Sequence, residues 1–92
     1  MLIPDEAQWV FPGGYEKIYV NCLKTAQAMG TVKQENKAAG VIKASIEGAD
    51  VTLRVSKLSS SRVGVAVAAR KLWFPRPDLA SRVLYAVEEK MR

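Results

Sequence analysis

The 92-residue chain has no histidine and one cysteine, Cys22. Without an imidazole there is no His-based general acid or base, no Ser-His or Cys-His nucleophile pair, and few routes to a transition-metal site. One cysteine closes no internal disulfide and leaves the redox compartment unread. The carboxylates are scattered: Glu88-Glu89 reads as solvated charge at a helix end, and Asp5-Glu6 as part of a loose tail. Gly13-Gly14 is a lone pair without the Gly-Lys-Ser/Thr run of a phosphate-cradling loop. No apolar run approaches the roughly 18 residues of a membrane helix. The opening MLIPDEAQWVFPGG carries neither the basic start nor the apolar stretch of a signal peptide. The expectation is a non-enzymatic protein with no cofactor, no metal site and no transmembrane segment.

What is present fits one small domain. Ninety-two residues leave no room for a second core. A hydrophobic share of 49% beside 25% charged residues is that of an ordinary soluble globule. Fourteen Lys and Arg against nine Asp and Glu give a net charge of +5, which attracts polyanions at low salt.

From Tyr15 to Met29 the spacing of Tyr15, Ile18, Cys22, Ala26 and Met29 predicts an amphipathic helix, stopped by Gly30. Cys22 lies on its apolar face, as a small buried hydrophobe would. The period then changes to two. Ile42, Ala44 and Ile46 alternate with polar residues, as do Val51, Leu53 and Val55, with Glu47-Gly48-Ala49-Asp50 between the runs. A two-residue loop with glycine first predicts a type II′ hairpin. Val63, Val65 and Val67 supply a third buried row, and TVKQENK from Thr31 a more polar strand suited to an edge. After the prolines, Leu79, Val83, Tyr85 or Ala86, Val87 and Met91 restore helical spacing. The expected fold is α+β, a two-layer sandwich. Its order is helix, four-stranded antiparallel meander, helix, with both helices on one sheet face. Residues 1–14 form an N-terminal extended segment and residues 15–92 the single domain.

RKLWFPRPD, residues 70–78, packs two aromatics, two prolines and three cations into nine positions. Aromatics before a proline and a helix start favour a structural joint, with Phe74 stapled against Leu79 or Val83. The competing reading displays Trp73 and Phe74 to a partner or membrane, ringed by Arg70, Lys71 and Arg76. Two consecutive aromatics cannot both point inward from a strand, so Trp73 is the one expected outside.

The outward rows of the predicted sheet offer two further candidates. Gly64, Ala66 and Ala68 make a flat row of small residues that suits another sheet, another subunit or the N-terminal segment. Lys43, Arg54 and Arg70 make a candidate anion-binding set, without the stacking aromatics usual on nucleic-acid-binding sheets. An ordinary solvated face ranks first, association with a protein partner or a second copy next, and nucleic acid third.

The block from Tyr15 to Met91 resembles a family of small bacterial domains of unknown function, many of whose members are predicted envelope lipoproteins. The resemblance is carried by YEKIYVNCLKTAQAMG, by the Gly-x-Ile-Lys-Ala strand at 40–44, and by GADVTLRV from Gly48. RVGVAVAAR and LASRVLYAVEEKM complete it. It implies an α+β domain and a periplasmic or envelope address, and no functional residues. YVNC at Cys22 is not a lipobox, and a native chain starting at Met1 would be cytoplasmic. The leading expectation is an accessory or protein-interaction module of the cell envelope. The alternative is a basic domain that binds nucleic acid or another polyanion through the open sheet face.

Overall fold

A computed structural model describes residues 6–91. The helical spacing from Tyr15 folds as α1 (Tyr15–Met29), which buries Ile18, Tyr19, Cys22, Thr25 and Ala26. Gly30 ends it, and only glycine fits there. A Cβ at position 30 would lie 2.1 Å from the Ser45 carbonyl oxygen. The meander follows as β2 (Thr31–Asn36), β3 (Val41–Ile46), β4 (Ala49–Ser59) and β5 (Arg62–Lys71), each antiparallel to the next. The chain closes with α2 (Pro77–Lys90), which buries Leu79, Ala80, Val83 and Val87.

The sheet has more than the four expected strands. Residues Glu6–Pro12 form β1, which pairs antiparallel with β5 from Glu6 opposite Ala68 to Pro12 opposite Arg62. Phe74–Pro75 form a two-residue β6 that also pairs with β5, so β1 and β6 lie along the same side of that strand. The sheet order is β1-β5-β4-β3-β2. Glu6–Pro12, placed at the sequence level in a segment outside the domain, therefore belong to the sheet. Ala7 and Phe11 join the core-facing row, with Phe11 buried. Gly13, at φ 129, turns the chain from β1 towards α1, and its N–H donates to the Ser61 carbonyl at 2.8 Å. Glu6 is not part of a loose tail; Asp5 and the rest of residues 1–5 lie outside the described residues.

Every buried strand residue lies on one face. Ile42, Ala44, Ile46, Val51, Leu53, Val55, Val63, Val65 and Val67 form one cluster with the buried side chains of both helices. α1 packs across β2 to β5, α2 packs on β5 and β1, and the helices touch each other. Truncating Leu53 or Leu79, both fully buried, to alanine would cost about 2–5 kcal/mol. β2 is an edge strand, and a register shift between Val32 and Gln34 interrupts its ladder. That irregularity, with Lys33 on it, discourages pairing with another chain.

The β3–β4 hairpin has the expected place and a different turn. Ile46 pairs with Ala49, so the loop is Glu47-Gly48, with φ of 53° and 76°. Two positive φ values are the type I′ pattern, with glycine second. Of Tyr85 and Ala86, the alternatives for one core position of α2, Tyr85 is exposed and Ala86 half-buried, while Ala80 is fully buried.

Candidate interaction site

β5 and β6 form a second hairpin at the same end of the sheet as the β3–β4 turn, where Asp50 pairs with Arg70. Lys71 pairs with Phe74, so the loop is Leu72-Trp73. Leu72 has φ 59 and Trp73 is not in the left-handed region, the φ pattern of a type II′ turn. Glycine is the usual first residue of that turn; here it is a leucine. The three consecutive side chains Leu72, Trp73 and Phe74 are 82%, 75% and 71% exposed. Phe74 does not staple α2. Its pairing opposite Lys71 holds it past Ala69, the last buried residue of β5. The Arg76 N–H donates to the Ala69 carbonyl at 2.7 Å, and α2 begins at the next residue. The tip is thus a convex apolar element with its backbone fixed from both sides.

Several of the charges around the tip are paired, and Lys71, opposite Phe74, is an exposed cation beside it. Arg76 meets Asp78 through two hydrogen bonds, of 3.1 and 2.9 Å. Those hydrogen bonds hold the Asp78 carboxyl down at about 2. Arg82 makes a similar double contact with Glu47, 2.8 and 3.0 Å, which ties α2 to the β3–β4 turn and lowers the Glu47 pKa. Arg70 stands opposite Asp50 in the β4–β5 register.

The open face of β5 carries a row of small residues. Gly64, Ala66 and Ala68 of β5 lie opposite Val10, Gln8 and Glu6 of β1 and opposite Ser56, Arg54 and Thr52 of β4. Over this floor runs a shallow groove of about 620 Å³, walled by Val10 and Leu58 and closed towards one end by Glu6 and Arg54. Leu58 hangs over Gly64. Arg54 donates a charge-assisted hydrogen bond to Glu6. The Glu6 side chain is 95% shielded (5% exposed) and also accepts from Gln8 at 3.1 Å. That bridge crosses β5, and small residues at 66 and 68 leave it room.

Lys43, Arg54 and Arg70 all stand on this open face, arranged around Thr52, with which Lys43 and Ala68 pair. The charge of two of them is offset, Arg54 by Glu6 and Arg70 by Asp50 opposite it in register, while Lys43 stands beside Thr52. Sequence reasoning missed Glu6, Val10, Leu58 and Leu72. Leu72 was within reach, because LWF is an unbroken apolar triplet set among cations; Glu6 was not, because its partner lies 48 positions away.

Cys22 is fully buried, and burial lifts its thiol to about 12. It is a packing residue, not a nucleophile. Tyr19 stacks on Tyr15 with ring centroids 6.1 Å apart, and its buried hydroxyl lies near the Asn36 backbone without a hydrogen bond of normal geometry among the described residues. Tyr15 instead donates to the Lys37 carbonyl at 2.7 Å, anchoring the start of α1 on the β2–β3 turn. Among the described residues no three His, Cys, Asp or Glu side chains gather closely enough to hold a metal ion, and no helix is long and apolar enough to cross a membrane. The chain matches no family model and no curated protein.

Proposed function

We propose that this chain is a non-catalytic docking module whose contact element is the Leu72–Trp73–Phe74 hairpin tip. One observation carries the reading. A leucine occupies a left-handed turn position that disfavours it, and it gains no burial in return. Backbone strain of this kind concentrates at functional sites. Trp and Phe are also the side chains that anchor interfaces, since they bury large areas with few rotatable bonds. The pairing of Arg76 and Arg82 leaves Lys71 as the exposed cation beside the tip, a small charge that suits an apolar contact better than capture of a polyanion. The bacterial envelope address belongs to the same proposal and draws its support from the resemblance of residues 15–91.

The test is photo-crosslinking in cells with a photoreactive phenylalanine analogue at position 73, against a control at position 33 in β2. Membrane and soluble fractions are separated before the adducts are weighed. A discrete adduct from position 73 alone supports docking, and its recovery with the membrane fraction supports the address. Equal labelling from both positions, or none from position 73, would overturn the docking reading.

A further inference from the structure

The chain carries an unfilled apolar protrusion and an unfilled apolar hollow, and one strand separates them. The tip continues from the C-terminal end of β5, whereas the groove lies over Gly64 and Ala66 near its start. Eight residues of extended chain from Gly64 to Leu72 span about 26 Å. The tip of a molecule therefore cannot reach its own groove. It can reach the groove of a neighbour.

We infer that the Leu72–Trp73–Phe74 tip of one copy docks into the open-face groove of a second copy, head to tail. This rests on the docking reading above and names the occupant. The chemistry of the two surfaces corresponds. The tip residues bear no formal charge, and the two charged residues that line the groove, Glu6 and Arg54, already satisfy each other. An indole needs an acceptor for its N–H when buried, and Gln8 and Ser56 on the groove lining offer side-chain oxygens. Val10 and Leu58, both about half exposed, provide apolar walls for the ring.

Area sets the strength. Two aromatics bury about 150–250 Å² each, so the tip supplies well under the ~800 Å² per partner of a standard interface. Self-association is accordingly weak and concentration-dependent. A contact between unlike surfaces also leaves a free tip at one end of the pair and a free groove at the other, so it propagates beyond two copies.

Sedimentation velocity up to about 1 mM tests this, using the wild type, Trp73→Ala and Ala66→Arg. Leu58→Asp serves as a second groove variant that leaves the sheet floor intact, and circular dichroism checks each fold. The wild type is expected to grow in mass with concentration. Each single variant should weaken that association at least about tenfold, as loss of a hot-spot contact does. An equimolar mixture of Trp73→Ala with a groove variant should form dimers and stop there, because one variant keeps its groove and the other its tip. Wild type that stays monomeric would overturn the inference, as would association that the variants leave intact or that mixing fails to restore. The docking reading stands or falls separately, on whether position 73 yields a discrete adduct of any mass.

Discussion

Leu72 is the residue at which fold and function pull apart. A left-handed conformation costs an L-residue about 1–2 kcal/mol, and an 82%-exposed side chain recovers none of it through packing. Glycine at this position removes the strain but makes the unfolded chain more flexible, which offsets part of the gain. Leu72→Gly is therefore expected to stabilise the fold by up to about 1 kcal/mol, read as a higher denaturant midpoint at unchanged slope. The same variant should weaken self-association. Should Leu72→Gly instead destabilise the fold, the leucine serves the structure and the argument from strain is lost. Cys22 shows the opposite situation: helical spacing placed it on the apolar face, and it is buried there. Spacing works for Cys22 because four neighbouring turns of one helix decide its environment. It fails for Phe74, whose exposure depends on where the sheet ends relative to the first turn of α2, a relation no local pattern contains.

At the scale of elements, α2 makes two double contacts: Arg76 with Asp78 within its own first turn, and Arg82 with Glu47, which ties it to the β3–β4 turn. Both carboxyl pKa values are depressed in the folded protein, Asp78 to about 2. A depressed carboxyl contributes stability that is present above its unfolded value, about 4, and that disappears as pH falls through its folded value. Thermal midpoints should thus decline as pH is lowered from about 4 towards 2, by a small amount because both carboxylates are exposed and screened. Asp78→Asn should flatten the lower part of that decline. A profile in Asp78→Asn that matches the wild type would show that the Arg76 contact does not persist in solution. The helices and the four-strand meander were legible because their periods, near 3.6 and 2, run uninterrupted for many residues. β1 was not. Trp9-Val10-Phe11-Pro12 breaks the alternation, and the strand is defined by pairing with residues fifty or more positions away. The turn type was misassigned for a related reason: the strand pairing of Ile46 with Ala49, which sequence does not display, makes glycine the second loop residue.

For the whole molecule, the net charge of +5 opposes the association proposed here. Two copies repel over distances comparable with the Debye length, about 10 Å at 0.1 M salt. The contact itself joins a tip without formal charge to a groove whose charged residues are paired. Added salt therefore weakens the repulsion and leaves the contact largely unaffected, and self-association should strengthen several-fold between low and moderate salt. A polyanion bound through Lys43, Arg54 and Arg70 behaves in the opposite sense. Its affinity falls steeply with salt as released counterions lose their advantage. Composition alone displayed the charge excess and favoured neither reading. The fold sets Glu6 against Arg54 and Asp50 opposite Arg70 and leaves Lys43 beside Thr52, so salt dependence is the property that separates them. Sedimentation of the wild type across a salt series, beside a titration with a single-stranded oligonucleotide, decides the matter. Mass that rises with salt, with no oligonucleotide binding, is the expected result. Tight binding at low salt that Arg54→Glu abolishes would make the open face a polyanion site.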